Sequence, residues 1–320
     1  MKTQTLTTFL PAPVVSAPAV RKRRRSPHRR RETILQVICI APPLILLLAL
    51  VGYPLVQTVY LSFMRSTLID PTPIFVGFNN FTAIFSSAKF WNVALNSIIW
   101  TVGITLGQTV LGMVSALILN RKFVGRGGLR ALVVIPWVMP GVIAGVLWKL
   151  LYDPSLGPIN EISRALGLGG SGIAWLGNPQ TALLAVMVVA IWKGFPLSAV
   201  MYTAAFQNVP EELREAARLD GAGVFRVFTS VVLPSMAPTI RSTVLLTTVW
   251  TFNYFDLTYV MTQGGPGTST DIFPTAIYRI AFQDVNYGLS SAYGVVSVLV
   301  LGIFTVLYLR QLNKSGSLSR

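Results

Sequence analysis

The chain has 320 residues, of which 52% are hydrophobic and only 12% charged, about half the charged share of a soluble domain, so it excludes an ordinary soluble enzyme and sets its apolar surface against lipid. The net charge of +15 would suit nucleic acid, but Arg21, Lys22, Arg23, Arg24, Arg25, Arg29, Arg30 and Arg31 form one cluster just before the first apolar run. That is the place of a topology anchor touching anionic lipid, and nucleic-acid binding is not expected. A single cysteine, Cys39, and a single histidine, His28, leave no material for an internal disulfide, a metal site or histidine-based catalysis.

Residues 1–31 read as a basic, disordered cytoplasmic tail, since prolines interrupt the apolar letters and the basic cluster follows them, unlike a cleaved leader. Six segments are then long enough to cross a bilayer, each needing about 20 residues. They lie at about 34–63, 93–119, 129–151, 181–206, 235–261 and 289–309. Pro42, Pro43 and Pro54 predict kinks or an early break in the first. With the N-terminus inside, the inner segments hold nineteen Lys and Arg and the outer loops four, Arg65, Lys89, Arg164 and Arg279, which fixes the expected orientation with both termini cytoplasmic. The outer loops 64–92, 152–180 and 262–288 are rich in turn residues, among them Asp153-Pro154, Gly157-Pro158 and Gly264-Gly265-Pro266-Gly267. The expected organisation is one membrane domain over residues 32–312 with a short cytoplasmic tail at 313–320.

The inner segment EELREAARLDGAGVFRVFTSVVLP, Glu211 to Pro234, breaks this oily pattern. Four acids (Glu211, Glu212, Glu215, Asp220) and three arginines (Arg214, Arg218, Arg226) fall within sixteen residues. Pro210 and the two leading glutamates suit a helix start. Glu211 with Arg214, and Glu215 with Arg218, are spaced for ion pairs. Ala216 and Ala217 keep the helix surface low, Gly221 and Gly223 end it, and Phe225, Phe228 and Val232 recur at helical spacing. Two readings stand: a short helix offered to a groove on a soluble partner, or a solvated helical loop.

Glu215-Ala216-Ala217, then Gly221, Val231 and Leu233-Pro234 resemble the EAA motif of ABC importer permeases, with Val231 where the family prefers Ile. Asp220-Gly221-Ala222, Gly157-Pro158-Ile159-Asn160, Trp192-Lys193-Gly194-Phe195-Pro196, Met261 to Pro266, Thr270 and Tyr278 to Phe282 resemble the carbohydrate-uptake branch, in its maltose- and glycerol-phosphate-type first permeases. The resemblance covers about residues 34–311. It implies an all-α integral membrane protein, a type I ABC importer transmembrane domain of about six helices, in a bacterial inner membrane. It implies a subunit that is not itself an enzyme: ATP and Mg would sit on a separate ABC ATPase dimer, and this chain contains no GxxxxGK[ST] run. Other implied partners are a second, different permease subunit and an extracytoplasmic solute-binding protein. The ATPase-coupling loop, residues 207–234, would act through Glu211, Glu215, Ala216, Ala217, Asp220, Gly221, Ala222, Leu233 and Pro234. The substrate path would be bordered by Lys193, Gly194, Leu197, Thr247, Trp250 and Thr251.

Within that path, Lys193 is a charge near the middle of a span. It either pairs with Asp256, faces a wet cavity, or snorkels; Trp250 either stacks on a sugar or packs between helices. A stand-alone secondary transporter is the competing class, and Asp256 is the one acid that approaches a coupling role.

Overall fold

The computed structural model describes residues 27–67, 72–121, 123–167 and 172–316. Residues 1–26 of the expected tail, Asp70, Lys122 and the last four residues lie outside the described residues. The chain divides into two compact units, residues 1–55 and 56–320. In the first, α1 (Pro27–Leu47) leads through a π turn (Leu48–Gly52) into α2 (Tyr53–Ser62). No break occurs at Pro42 or Pro43. Instead the Tyr53 N–H donates to Leu48 O, five residues back, a wider turn that carries the helix past Pro54, which has no N–H to donate.

In the second unit, α2 ends and a two-residue ladder follows, β1 (Met64–Arg65) antiparallel to β2 (Ile74–Phe75), with Met64 opposite Phe75. The rest is helical. α3 (Asn79–Phe85) precedes α4 (Ala88–Asn120), α5 (Arg126–Val138), α6 (Gly141–Leu151), α7 (Pro158–Ala165) and α8 (Ala182–Gln207). α9 (Glu211–Leu219), α10 (Val224–Val227) and a second π turn (Phe228–Val232) lead to α11 (Leu233–Phe252). α12 (Asp256–Thr262), α13 (Phe273–Phe282) and α14 (Tyr287–Gly316) complete the chain.

Among the described residues four helical segments are long and apolar enough to span, Gln36–Ser62, Ala88–Asn120, Ala182–Gln207 and Tyr287–Leu312, or five if α5 and α6 count as one span bent by 99°. Two of the six expected spans are interrupted. The third expected span breaks at Met139-Pro140, because Pro140 lacks an N–H and forces the residue before it into an extended conformation, and Met139 has ψ 130°. The fifth ends at Phe252 and resumes at Asp256. Its α11 is long enough, at 20 residues, but Arg241 and a run of threonines make it too polar to pass as an apolar span.

α4 and α8 form the central pair. A Cβ at Gly103 would strike Met187, one at Gly107 would strike Ile191, and one at Gly112 would meet Ser198 and the α8 backbone. Small residues on α4 thus let two spanning helices approach closely, the usual route to tight packing in lipid. Trp100 and Tyr202 fill the ends of this contact, each fully buried.

The loop between α6 and α8 is organised by buried Asn160. Its Nδ2 donates to Asp153 O and Ile173 O, both at 3.1 Å, and its Oδ1 accepts from Ile173 N at 2.9 Å and Trp175 Nε1 at 3.1 Å. Every lone pair and proton of the amide is used, which explains why an asparagine stands here. Replacing Asn160 with Ala strands four buried groups. Thermal unfolding of the purified protein should show a loss of about 2–3 kcal/mol, and Asn160→Asp, which sets a buried carboxylate oxygen against the Asp153 and Ile173 carbonyls, should lose at least as much.

Candidate functional site

The segment from Glu211 to Pro234 folds as helix, tight turn and helix. Pro210 stands at the N-cap of α9, not within its first turn. The helix ends in a Schellman pattern: Ala222 N–H donates to Ala217 O and Gly221 N–H to Arg218 O, each at 3.0 Å. Gly221 has φ +80° with no atom within 4 Å of a Cβ built on it. The residue is glycine because of backbone conformation, then, and not for lack of room.

Glu211 takes both arginines, Arg214 Nη1 at 3.1 Å and Arg218 Nη1 at 3.7 Å. The expected Glu215–Arg218 pair does not form, because Glu211 lies on the same helix face and reaches Arg218 first. Glu215 is left exposed and without an ion pair among the described residues. Arg214 is not a surface charge. Its side chain is only 15% exposed, Nη2 donates to Val209 O at 3.0 Å, and its guanidinium lies 5.1 Å from the centre of the Phe206 ring. It clamps α9 to the end of α8.

Ala217, Ala222 and Phe228 pack inward with Val227, Val232 and Met236. Of the expected Phe225–Phe228–Val232 stripe, Phe228 and Val232 pack inward, and Phe225 is left 81% exposed. Glu211, Glu215, Ala216, Asp220, Gly221, Leu233 and Pro234 all face outward. Around the turn Leu219, Val224 and Phe225 add exposed apolar surface that motif reading missed; three large apolar letters beside an αL glycine were the available signal.

The six path residues come together. Lys193, Gly194, Leu197, Thr247, Trp250 and Thr251 line one cavity of about 100 Å³, with Gln108, Trp137 and Tyr254 also in its wall. Gly194 is needed because a Cβ there would run into the Gln108 amide, which donates to Ala190 O at 3.2 Å. Thr247 Oγ1 donates to Thr243 O at 2.9 Å, so its lone pairs remain for the cavity. Trp100 Nε1 donates to Thr251 O at 3.0 Å and holds that wall in place.

Lys193 makes no ion pair with Asp256. Its ammonium lies 5.9 Å from the centre of the Tyr254 ring at the cavity edge, a cation–π distance. Asp256 instead presses its carboxylate against the backbone at Gly141, where any side chain would collide with it. That is the first turn of α6, the positive end of the helix.

The Gly-Gly-Pro loop is held from beneath by Asp271, a buried carboxylate that sequence reading passed over. Asp271 pairs with Arg279 and accepts from Thr275 Oγ1 at 3.0 Å. Its carboxylate fills the space beside Gly264, whose φ of +90° no other residue adopts readily. Asn96 of α4 donates to the carbonyls of Thr268, Ser269 and Asp271, at 3.0 to 3.2 Å. Burial pushes the Asp271 carboxyl up, against the pull of Arg279 and Thr275. A raised folded-state value means that folding is favoured while the group is protonated, and that this favour is lost as pH rises from the ordinary carboxylate range, near 3.8, through the raised value. Arg279→Met removes the opposing pull. The variant should lose about 3–5 kcal/mol at neutral pH, with a steeper decline on raising pH than the wild type, and adding Asp271→Asn should restore part of the loss, both read by unfolding across a pH series.

Residues 108–315 match the model of the family described as binding-protein-dependent transport system inner membrane component. The chain is 36% identical over 284 residues to the trehalose/maltose transport system permease protein MalF of Thermococcus litoralis, covering 88% of this chain and 94% of that protein. It is 34% identical over 282 residues to the sulfoquinovosyl glycerol transport system permease protein SmoG of Agrobacterium fabrum, covering 87% and 90%. The fold is similar to a chain in the crystal structure of a bacterial ABC transporter involved in the import of the acidic polysaccharide alginate, with TM-score 0.78 at 22% identity over 90% of this chain and 97% of that one. The protein belongs to the family of inner membrane components of binding-protein-dependent transport systems. It is a multi-pass permease, a transport subunit and not an enzyme, and the stand-alone secondary transporter is set aside.

Proposed function

We propose that this permease passes a sugar or sugar-like solute and that the turn at Gly221 docks an ABC ATPase. ATP and Mg are then held by a separate ATPase dimer. An extracytoplasmic solute-binding protein delivers the solute, a second and different permease completes the path, and membrane lipid surrounds the spans. The N- and C-termini are cytoplasmic, in a bacterial inner membrane, which the skew of Lys and Arg toward one set of loops supports. Closure of the ATPase moves the docked turn and converts the path between inward and outward access.

The observation that carries this reading is the form of the inner turn. An unpaired Glu215 and the exposed side chains of Leu219, Val224 and Phe225 surround a left-handed glycine with open space beside it. Apolar groups and an uncommitted carboxylate together fit a cleft lined by apolar surface and a basic group. The solute class is supported by the relatives, named for trehalose/maltose and for sulfoquinovosyl glycerol, and by a cavity wall that combines Trp250 and Tyr254 with Gln108, Thr247 and Lys193.

Two variants test the two halves. Gly221→Leu strains the turn by about 1–2 kcal/mol and places a branched side chain where the partner would sit. Co-purification of the ATPase and solute uptake should both fall at least tenfold, and retention of both defeats the docking assignment. Lys193→Ala should leave the assembled complex intact and lower uptake about tenfold, the worth of one charge-assisted hydrogen bond; unchanged uptake removes Lys193 from the path.

A further inference from the structure

Four aromatic rings beyond the cavity form a continuous ladder. Phe255 follows Tyr254, whose side chain closes the cavity beside Lys193. Phe255 stacks on Tyr259 of α12, with ring centres 5.0 Å apart and planes 19° from parallel. Both meet Tyr278 of α13, at 5.1 Å and 4.8 Å, and Tyr278 lies 4.8 Å from Phe282. Phe282 is 67% exposed and the other three are half-buried, so the whole line keeps accessible ring surface.

Membrane-surface aromatics that only anchor a helix need no contact with one another; each sets an amphipathic ring at the headgroup level. Here two separate helices bring their rings into one line, and its first member, Phe255, is the chain neighbour of the cavity residue Tyr254. The order Phe, Tyr, Tyr, Phe sets two phenol hydroxyls between two bare rings. That combination suits a pyranose, which presents an apolar C–H face and a rim of hydroxyls. Arg279, next to Tyr278 in the chain, is committed to Asp271 and Asp284, so it does not recast the ladder as an anion site.

Resting on the sugar reading above, we propose that Phe255, Tyr259, Tyr278 and Phe282 are a binding track for the solute's ring, along which it passes between the outer face and the cavity. The α12 and α13 helices thereby take a part in transport that the cavity residues alone do not explain.

The test uses the complete transporter in lipid vesicles, with its ATPase, sister permease and binding protein. The probes are tritium-labelled mono- and disaccharides, led by maltose and trehalose. Tyr278→Ala combined with Phe282→Ala should lower the maximal uptake rate by about three- to tenfold, the scale of one lost aromatic contact. The yield of assembled complex and the binding-protein concentration at half-maximal rate should stay unchanged, and Phe282→Trp should transport like the wild type. Unchanged uptake in the double variant overturns the proposal. So does a shift confined to the binding-protein concentration, which would make the ladder a binding-protein contact, and so does loss of assembly, which would make it a seat for the sister permease. A wild-type transporter that takes up none of the saccharides sinks the sugar reading itself, a result distinct from the three above.

Discussion

The close approach of α4 and α8 is the constraint on which the rest depends. In lipid there is no gain from gathering apolar side chains, so helices associate where backbones can touch and pack. Gly103, Gly107 and Gly112 on α4 meet side chains and backbone of α8, and Gly194 on α8 returns the favour to Gln108. This last exchange does two things at once. It locks the pair in register, and it puts Gln108, Lys193 and Gly194 on one cavity wall. A side chain at 194 would not merely loosen the contact; it would push Gln108 into the space the solute is proposed to use.

The helices around this pair break at the level of the cavity. α5 ends next to Trp137, and α11 ends just after Thr251, both of which line it. The outer pieces, α6 and α12, pack on each other, with Asp256 against the start of α6 and Val260 and Leu257 against Gly145. Of the inner pieces, α11 continues back through the π turn and α10 to the turn at Gly221. α11 carries Leu233 at one end and Trp250 near the other, about 26 Å apart at 1.5 Å per residue. α8 ends at Gln207, and the Arg214 clamp fastens α9 to Phe206 and Val209 just beyond that end. A push on the turn at Gly221, the proposed docking point, therefore has two routes to the cavity wall, while the breaks separate the outer pieces from them.

Much of this was legible because it is local. A glycine two residues beyond a run of helix formers announces an αL cap, and Gly221 is one. The Trp-x-Gly-x-Pro and Gly-Gly-Pro landmarks placed six residues that prove to line a single cavity. What was not legible depends on competition between neighbours or on distant burial. Glu211 and Glu215 are equally spaced to an arginine, and only the geometry decides that Glu211 takes both. Arg214 looks like its neighbour Arg218, yet one is a clamp and the other a surface charge. Asp271 is one acid in a loop until Asn96, a residue 175 positions away, is seen donating to its carbonyl. The bend at Met139-Pro140 did leave a signal, since proline interrupts the helix there, but the unbroken apolar letters around it read as one span.

The account's central claim is that α9 and α11 move as one body, so that docking reaches the cavity without slack. Spin labels at Glu212→Cys and Trp250→Cys, with Cys39 replaced by Ser, measure this in the complete transporter. The account predicts that the distance between them stays constant between the nucleotide-free and ATP-trapped states while the access of the cavity changes sides. A change of about 5 Å, one helical turn, would contradict it.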